Sequence, residues 1–409
     1  MFSFLNKQKK QSKIGYVQLA TFAAPAWGYG GPVRLFDEYA IWASTDYDVN
    51  LISGNIDGNK KKYSACKYNS NGYITRRVTV FGRSFAKIGF AAMAPWVIFI
   101  LIFKVICQKN KTVLHFWELR GVIPLYLVFI KLLFPRKSRI IFSAFGQLHY
   151  KKSFIRSIYD RLFLKLILGQ VDCYLVQNEH ERSVCASLLV DKKINVLAKI
   201  QRLNLHYTHK NQPSIENKQL FCKSAAKLEL GFNDDVTILL FLGRLFWAKG
   251  ISRVIDVFIQ YQKINSNSVL LIVGNDFGEL DLINKIIQNN RLNELVIVVS
   301  DVYSERWRYY TAADVFVAFP VICEETMLAA VEALSCGTPI LVSKEADTPH
   351  VIRLKAGNII VYDITEAVRA LAVILSNRIE YSINAISVAS TYFAAERVRL
   401  EFGKIINRL

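Results

Sequence analysis

The stretch VTILLFLGRLFWAKGISRVIDVFIQYQK, residues 236–263, decides the fold. It begins with VTILLFLG, an apolar run of strand length, and ends with SRVIDVFIQYQK, whose apolar side chains have the spacing of an amphipathic helix. Further strand-length runs follow, separated by helical stretches: VLLIVG, LVIVVS, VFVAFP and PILVS. Alternating strands and helices predict a parallel sheet with helices on both faces. We therefore expect a doubly wound α/β domain in the second half of the chain.

The first half of the chain shows the same alternation. A first strand, KIGYVQLA, is followed by the glycine-containing loop WGYGGP and by VRLFDEYAIWAS, which has helical spacing. Later strand-length runs are DVNLIS, TVLHFW, RIIFSAF and CYLVQN. The fold class that we predict is α/β, with two Rossmann-like, doubly wound parallel-sheet domains that face each other across a cleft. Ligands of such folds bind at the carboxyl ends of the strands, so the cleft is the expected site.

An irregular stretch at residues 205–222 contains Asn, Gln, His, Pro and Ser and predicts the connector between the two domains. We place the N-terminal domain at residues 1–205 and the C-terminal domain at residues 206–384. The final segment, residues 385–409, has a helical pattern, and we expect it to pack back on the N-terminal domain. With 409 residues, of which 52% are hydrophobic, the chain can bury two such cores.

Cysteine and histidine usage predicts no metal centre. The seven cysteines are scattered without a CxxC pair, and the six histidines show no metal-ligand spacing. A reducing compartment and the absence of structural zinc are the simple interpretations. One DxD-like triplet, Asp46 to Asp48, directly precedes an expected strand, so turn chemistry explains it better than a metal site does.

The net charge of +19 comes entirely from the first half of the chain. Through Leu205 there are 31 basic and 11 acidic residues, whereas the remainder holds 21 and 22. Residues 131–165 alone contain nine Lys or Arg and a single acid, Asp160. Such a one-sided field attracts a polyanion: a membrane surface, a phosphate-rich ligand or nucleic acid. The alternative is a solvated basic face, which is the usual meaning of a single charge run.

An apolar stretch at residues 85–107 bears on membrane contact. It approaches the about 20 residues of a membrane span, but Lys87, Pro95 and Lys104 interrupt it. We expect a core helix, or a helix lying in the membrane interface, rather than a span. The first residues, MFSFLNKQKKQSK, are basic and lack the apolar core and cleavage site of a signal peptide.

The loop GRLFWAKG, residues 243–250, places two cations after a strand and ahead of a helix. Arg244 can hold two oxygens of a diphosphate in a fork, and Lys249 supplies a point charge. Alone this motif is weak, because Arg and Lys are common in exposed loops.

A second motif, EETMLAAVEALSCGTP, occupies residues 324–339. Glu324 and Glu332 are eight residues apart, about two helical turns, so the first lies just before a helix and the second lies on it. The helix start near Thr326 to Leu328 offers free backbone N–H groups and a positive dipole end, which suit an anion. An unpaired carboxylate among Ala, Val and Leu is costly, which favours a functional role for Glu332. The closing CGTP ends the helix.

In this order and spacing, the two motifs resemble those of the retaining GT-B glycosyltransferases called group 1 or family 4. The resemblance covers most of the chain and is strongest over residues 236–343. The family pattern of Gly-Arg-Leu, Lys-Gly, Glu-x7-Glu and Cys-Gly-Thr-Pro is matched in full. After the first glutamate, however, the usual Gly-Phe-Gly is replaced by Glu325, Thr326 and Met327, which leaves the identity of the donor sugar open.

The resemblance implies a role for each matched residue. Arg244 and Lys249 neutralise the donor diphosphate, and they form the catalytic set together with Glu324. Glu324 contacts the hydroxyls of the transferred sugar, and Glu332 binds the ribose of the nucleotide. The implied donor-binding set consists of Gly30, Gly31, Gly243, Arg244, Lys249, Glu324, Thr326, Met327, Leu328 and Glu332, with backbone amides acting at 326–328.

The N-terminal half adds to the resemblance through its loop GYGGPVR. This loop is similar to the glycine-rich first loop of the family, in which Gly30 and Gly31 let the backbone approach donor and acceptor. It is not a GxGxxG motif, because Val33 occupies the third glycine position, and a nicotinamide cofactor is therefore disfavoured.

A second N-terminal segment, SAFGQL, resembles a family segment that usually contains a histidine, here replaced by Phe145. Phe145 can neither donate a hydrogen bond nor take a proton. Gln147, His149 and His115 are the alternatives for a polar group near the sugar, although an ordinary satisfied histidine is the commoner interpretation of both histidines.

The implied activity is that of a hexosyltransferase-like, retaining and metal-independent enzyme that uses a UDP- or GDP-linked sugar and no cofactor. Fixed cations replace the metal at the diphosphate. The basic N-terminal domain beside an apolar segment suits a lipid-linked glycan acceptor at an anionic membrane surface. We expect peripheral attachment to the cytoplasmic face of the cell membrane, and a role in surface polysaccharide, lipopolysaccharide or other glycoconjugate biosynthesis.

Three other functions compete with this one. A catalytically silent nucleotide- or glycan-binding protein would account for Phe145 and the altered Gly-Phe-Gly, but the intact cations and carboxylates oppose it. A GT-B epimerase or phosphorylase also has two such domains, but it fits the paired motifs less well. Nucleic-acid binding is suggested by charge alone, without a zinc finger, RNP-like motif or basic helix repeat in the sequence.

Overall fold

A computed structural model describes residues 14–23, 31–56, 63, 67–70, 72–81, 92–148, 154–194, 197–207, 223–300 and 305–409. The chain divides into two compact units. The N-terminal unit comprises residues 1–176, 181–202 and 401–409, and the C-terminal unit comprises residues 177–180 and 203–400, where these are described. The division falls at 202/203, where the sequence placed it at 205/206, and the last nine residues, 401–409, group with the N-terminal unit.

The N-terminal unit is built on a large sheet. The strands that are described are β1 (Gly15–Ala20), β2 (Asp48–Gly54), β3 (Lys67–Ser70), β4 (Tyr73–Val78), β5 (Val80–Phe81), β6 (Ala92–Met93), β7 (Thr112–Phe116), β8 (Ser138–Ser143), β9 (Cys173–Val176) and β10 (Ile200–Arg202). Eight of them form one sheet in the order β10-β9-β8-β7-β1-β2-β4-β3, and β5 pairs with β6. All neighbours in the large sheet are parallel except β3 and β4, which are antiparallel.

Helices cover this sheet. They are α1 (Gly31–Ala43), α2 (Val97–Cys107), α3 (Ile123–Leu133), α4 (Phe154–Tyr159), α5 (Lys165–Gln170) and α6 (Glu179–Asp191), and a π-helical segment, Asp160–Leu164, joins α4 to α5. On α2, the buried side chains Val97, Leu101 and Val105 recur every fourth residue, so one stripe of the helix packs into the core. The same core cluster takes in strand residues such as Leu114 and Phe142.

The predicted strands β1, β2, β7, β8 and β9 are confirmed, whereas the edge hairpin of β3 with β4 was not predicted. The burial of β4 alternates, and two of its six residues are Arg76 and Arg77. This partly buried strand, next to the edge strand β3, contains no continuous apolar run, so the pattern that finds buried parallel strands does not find it.

The C-terminal unit contains the second sheet. Its described strands are β11 (Thr237–Leu242), β12 (Ser268–Val273), β13 (Val296–Val299), β14 (Val315–Ala318), β15 (Ile340–Ser343) and β16 (Gly357–Ile360). Its described helices are α7 (Lys223–Glu229), α8 (Ile251–Gln262), α9 (Leu280–Asn289), α10 (Arg306–Ala312), α11 (Leu328–Ser335), α12 (Ile364–Ser376), α13 (Arg378–Val388) and α14 (Ala395–Arg408), of which α14 ends in the N-terminal unit. The strand order is β13-β12-β11-β14-β15-β16, and every pair is parallel.

Both units are therefore Rossmann-like, doubly wound α/β domains, as predicted. In each sheet the first strand has a neighbour on either side, and the chain order reverses there. The reversal lies between β1 and β7 in the N-terminal sheet and between β11 and β14 in the C-terminal sheet. At such a switch point the loops leave the two strands in opposite directions and open a crevice at their carboxyl ends, where ligands bind.

The apolar stretch at 85–107 contributes the short helix α2, and residues 82–91 lie outside the described part of the chain. In the portion of the chain that is described, no helix combines the length and the apolar character needed to cross a membrane.

Candidate functional site

An ion pair bridges the switch point of the C-terminal sheet. Lys249 follows β11 at the end of a 3₁₀ turn, Trp247–Lys249, and Glu324 follows β14. Lys249 Nζ lies 2.5 Å from Glu324 Oε2, and their side chains are 13% and 21% exposed. The pair is thus shielded from most of the solvent but still accessible from the crevice. Two residues of the two separate sequence motifs meet where the topology places a ligand.

The backbone around Gly250 holds the two loops together. Gly250 has φ +65°, and a Cβ at this position would lie 2.0 Å from the carbonyl oxygen of Phe319. The amide of Val321 donates a hydrogen bond to the carbonyl of Ala248 at 2.9 Å. The Lys-Gly part of the motif therefore has a structural cause, since only glycine permits both this conformation and this approach. The close contact keeps Lys249 next to Glu324.

Arg244 also follows β11, but its side chain lies against the loop after the neighbouring strand β12. Its guanidinium is 5.3 Å from the ring centroid of Phe277, in the loop that follows β12. The amide of Leu245 donates to the carbonyl of Asn275 at 2.9 Å, and the amide of Gly243 donates to Val273 at 2.9 Å. The two predicted cations thus both follow β11, with Lys249 turned to the β14 loop and Arg244 to the β12 loop.

The segment after Glu324 leads into helix α11, which begins at Leu328 as the sequence predicted. The amide of Glu324 donates to the carbonyl of Glu345 at 2.7 Å, and Thr326 Oγ1 donates to the carbonyl of Asp347 at 3.1 Å. Met327 is extended and buried and immediately precedes the helix. These bonds anchor the loop to the segment after β15 and fix the direction of the helix start.

Glu332 is buried on α11 and already has charged and polar partners. Arg306 donates from Nη2 to Oε1 at 3.0 Å and from Nε to Oε2 at 3.2 Å. The hydroxyl of Tyr310 donates to Oε2 at 3.1 Å. Burial, followed by the Glu332 carboxylate, raises the pKa of Tyr310 well above its usual value, which keeps this hydroxyl a donor. The sequence carried no signal for Arg306 and Tyr310, which lie on a separate helix, α10.

Glu325 stands where the family pattern has its first glycine. Its φ is +54°, in the left-handed region, and it is fully buried. His180 Nδ1 lies 3.2 Å from Glu325 Oε1, and the Cys323 thiol donates to the same oxygen at 3.2 Å. The backbone conformation explains the family's preference for glycine here, because a side chain in this region is strained. Glu325 adopts this strained conformation while its carboxylate contacts His180 and accepts the hydrogen bond from Cys323.

His180, Cys323 and Glu325 bring three possible metal-ligand atoms within 4.8 Å of one another. Direct hydrogen bonds connect these atoms, so the cluster is satisfied without an ion. The expectation that catalysis needs no metal stays a prediction. The five cysteines placed by the described residues are free, namely Cys107, Cys173, Cys185, Cys323 and Cys336.

A second bridge spans the switch point of the N-terminal sheet. Glu118 follows β7 and accepts hydrogen bonds from Thr21, which follows β1. The amide of Thr21 lies 3.0 Å from Oε2 and its hydroxyl 2.7 Å from the same oxygen. Burial raises the pKa of Glu118 to about 7, although the bonds from Thr21 act in the opposite direction. The sequence predicts no role for Glu118, and only the strand order brings it next to Thr21.

The two histidines considered as substitutes for the family histidine have different outcomes. His115 is fully buried within β7, between the hydroxyls of Tyr16 at 2.5 Å and Ser143 at 2.7 Å. Burial lowers its pKa to about 3, so it is a neutral core residue, in agreement with the ordinary interpretation. His149 lies outside the described residues. Phe145 adopts φ +44° and its ring stacks against Tyr39 with centroids 6.4 Å apart.

Gly31 and the DxD-like triplet lie in the N-terminal unit. Gly31 is the first residue of α1, whereas Gly30 lies outside the described residues. Asp46 lies in a turn, where Thr45 Oγ1 donates to its carboxylate at 3.0 Å, and Asp48 begins β2. The triplet therefore lies at a turn that leads into the predicted strand.

Comparison with solved structures defines the class of the fold. The chain is similar to sucrose-phosphate synthase from Thermosynechococcus elongatus, with a TM-score of 0.71, 18% identity and coverage of 96% of this chain and 98% of that one. It is also similar to the Anabaena HepE protein in complex with UDP-glucose, with a TM-score of 0.68, 14% identity and coverage of 97% and 100%. At these identities the likeness establishes the fold alone, which is GT-B.

Residues 223–387 match the family model described as "Glycosyl transferases group 1". This stretch includes the Lys249–Glu324 pair and all of helix α11. With the GT-B fold and the two motifs, this match over 165 of the 409 residues supports a group 1 glycosyltransferase.

Among curated proteins, the chain is similar to the alpha-monoglucosyldiacylglycerol synthase of Streptococcus pneumoniae. The two are 27% identical over 196 residues, which is 47% of this chain and 42% of that protein. The synthase of the same name from Acholeplasma laidlawii is 25% identical over 185 residues, covering 44% and 45% of the two chains. The matched region thus spans less than half the length of these relatives.

Proposed function

We propose that this protein is a retaining glycosyltransferase that moves a sugar from a UDP- or GDP-linked donor to a lipid-linked or other glycan acceptor. The observation that carries the proposal is the Lys249–Glu324 pair at the C-terminal switch point. A cation and a carboxylate 2.5 Å apart present the two groups that a nucleotide sugar needs, one for its diphosphate and one for its sugar hydroxyls.

The proposed mechanism relies on the leaving group. Arg244, Lys249 and the N-terminal end of α11 stabilise the charge that develops on the departing diphosphate. Because these groups are fixed by the fold, no bound metal is required. The acceptor hydroxyl attacks from the face of the leaving group, and a phosphate oxygen takes its proton, so that configuration is retained. A side-chain base is then unnecessary, which makes Phe145 compatible with turnover.

Donor binding rearranges the ion pair in this proposal. Lys249 turns from Glu324 to a phosphate oxygen, and Glu324 becomes free to accept hydrogen bonds from the sugar. The pair holds both side chains in position before the donor arrives, which reduces the entropy lost on binding. Glu332 contacts the ribose while Arg306 continues to balance its charge.

The proposed acceptor is supported by the charge distribution and by similarity to other proteins. The excess positive charge lies in the first half of the chain, and two similar curated proteins are named as glycolipid synthases. We propose an acceptor attached to a lipid, peripheral attachment to the inner face of the cell membrane, and a role in surface polysaccharide or glycoconjugate assembly.

A thermal-shift screen of UDP- and GDP-sugars tests the donor. A ligand that binds only the folded state raises the melting temperature, by an amount that increases with concentration. We expect one nucleotide class to stabilise the protein and the Lys249→Ala variant to lose most of this effect. Stabilisation without nucleoside-diphosphate release in the presence of lipid acceptors would instead identify a silent binding protein. No stabilisation by any nucleotide sugar would refute the proposal.

A further inference from the structure

Three helical segments of the N-terminal unit expose large apolar side chains. They are α2 with the preceding Trp96, α3, and the continuous stretch from α4 through the π-helical segment to α5. We call their outward side the apolar–basic face. Its exposed apolar side chains are Trp96, Phe99, Phe103, Ile106, Phe129, Leu132, Leu133, Phe154, Ile155, Ile158, Leu162 and Leu166. In the described part of this unit, Val190 is the only other large apolar residue that is exposed to solvent.

The degree of exposure is high for such side chains. Phe154 is 81% exposed, Phe99 72% and Phe103 65%. Isolated exposed apolar residues are ordinary, but a group of this size on neighbouring helices marks an interaction surface. Something other than water is therefore expected to cover this face when the protein works.

The three segments adjoin one another. Helix α2 packs on α3, and α3 packs on α5. Their inward side chains belong to one core cluster, for example Leu101 on α2, Leu127 on α3 and Ile167 on α5. Each segment is thus apolar on its buried side and on its outer side. A helix that is apolar all round is normally covered on all sides, by protein or by lipid.

Positive charge accompanies the apolar side chains. Arg136, Lys137, Arg161 and Lys165 are exposed on the segments and their flanks, Lys104 and Arg156 are partly buried, and Lys131 is paired with Asp172 at 2.8 Å. The acid within them, Asp160, is paired with Arg120 at 2.8 Å. On α4–α5, the exposed Ile158, Leu162 and Leu166 recur every four residues, with Arg161 and Lys165 each one position ahead. Apolar side chains and cations therefore lie on adjacent faces of the same segment.

We infer that the apolar–basic face docks on the surface of an anionic bilayer. Apolar side chains enter the boundary between headgroups and acyl chains, and Lys and Arg reach the lipid phosphates. A protein partner fits less well, because the centres of protein interfaces are depleted of Lys. Helices α2 and α3 have 11 residues each, a length of about 16 Å, which is too short to cross a bilayer, and we place them along the interface.

This inference rests on the membrane attachment proposed above and assigns it to particular residues. The test is sedimentation of the full chain with vesicles of phosphatidylcholine alone or with added phosphatidylglycerol, which needs no turnover. We expect binding to the anionic vesicles, with weakening by salt. Nucleotide-sugar binding is measured separately by thermal shift, so failure of the docking surface and failure of the transferase proposal are distinguishable.

Two variants probe the two components of the face. Phe99→Ser with Phe103→Ser removes apolar contact, and we expect vesicle affinity to fall by about tenfold or more. Arg161→Gln with Lys165→Gln removes two exposed cations, and we expect a loss of about tenfold that is confined to anionic vesicles. The matched controls are Val190→Ser, on the same unit, and Lys285→Gln, on the C-terminal unit, both of which should bind as the parent protein does.

Trp96 provides a local reporter, since it is 47% exposed at the start of α2. Its transfer into the headgroup region shifts tryptophan emission to shorter wavelength, and Trp96→Phe should remove most of that shift without preventing sedimentation. The inference is overturned if the parent chain does not bind anionic vesicles, or if both double variants bind like the controls. It is likewise overturned if Phe99→Ser with Phe103→Ser abolishes self-association instead, because the face would then join two copies of the chain.

Discussion

Lys249 Nζ lies 2.5 Å from Glu324 Oε2, although 75 positions of sequence separate the two residues. Each side chain follows one of the two strands, β11 and β14, that flank the switch point of the C-terminal sheet. The parallel sheet brings the carboxyl ends of these strands together, and the glycine at position 250 lets their loops touch. The positions of these two side chains are the basis of the proposed donor site.

Replacing either loop cation should abolish turnover and preserve the fold. In Lys249→Ala and Arg244→Ala, the developing diphosphate charge loses a fixed partner, and we expect release of nucleoside diphosphate to slow by about 100-fold or more. The measurement is steady-state release with an excess of acceptor. Lys285→Ala, an exposed lysine on α9, is the control and should be unaffected. Near-normal rates in both site variants would remove these cations from the mechanism.

Glu332 should prove to have a binding role that can be separated from its structural role. Glu332→Gln retains a hydrogen-bond acceptor for Tyr310 but breaks the ion pair with Arg306 and weakens contact with the ribose. Arg306→Gln breaks the same ion pair while leaving the carboxylate in place. We expect both variants to lose stability by about 1–3 kcal/mol.

Calorimetry with the nucleotide then separates the two roles of Glu332. We expect Glu332→Gln to weaken binding by about tenfold, the value of one good hydrogen bond, and Arg306→Gln to weaken it less. Equal weakening in the two variants would mean that Glu332 acts only through the structure of the site.

Glu118 should make stability depend on pH. Its pKa in the folded protein is about 7, above the reference value of 4.5 that applies when it is unfolded. The fold therefore favours the protonated form, and the unfolded chain releases this proton first as pH rises. The contribution of Glu118 to the free energy of unfolding is fully present below about pH 4.5 and is lost as the pH rises through about 7.

The corresponding measurement is urea unfolding at pH 5 and pH 8. Since Glu118 is partly exposed, we expect a loss of about 2 kcal/mol between the two values, which Glu118→Gln should largely remove. Asp191→Asn, an exposed acid on the same unit, serves as control. An unchanged pH dependence in Glu118→Gln would show that the carboxyl group is not held in its protonated form.

Gly250→Ala should destabilise the C-terminal unit and impair donor binding. The added Cβ would meet the carbonyl of Phe319 at 2.0 Å, so the two loops must separate, at a cost of about 2–4 kcal/mol. Gly231→Ala is the matched control, because Gly231 also has a positive φ, +83°, but has open space around it. It should cost about 1 kcal/mol. Thermal unfolding compares the two, and similar losses would mean that φ alone accounts for the glycine.

Much of the fold could be predicted from local patterns. Strands such as β11 and β12 are continuous apolar runs, and α8 has clear amphipathic spacing, so alternation alone indicated two doubly wound sheets. Strand β4, which lies between β2 and the edge strand β3, escaped prediction because its residues, several of them only partly buried, form no continuous apolar run. Motif spacing also led to Lys249 and Glu324, since each lies in a short stretch with a recognisable order of residues.

Partners that come from elements distant in sequence could not be found in this way. Arg306 lies on α10 in a stretch without a motif, yet it balances the buried charge of Glu332. Thr21 and Glu118 are 97 positions apart and meet only because β7 inserts next to β1. The apolar stretch and the basic region are separate features of the sequence, and packing of α2, α3 and α5 joins them into one face.

By itself, the amino-acid sequence determined the alternation of strands and helices, the two donor-site motifs and the one-sided charge, because each is written in residues that lie near one another along the chain. The tertiary structure decided which carboxylates are paired, which histidine is a core residue and which apolar side chains face outward. Those outcomes depend on strand order and helix packing, which bring distant residues together and control how far each charge and each apolar surface is removed from water.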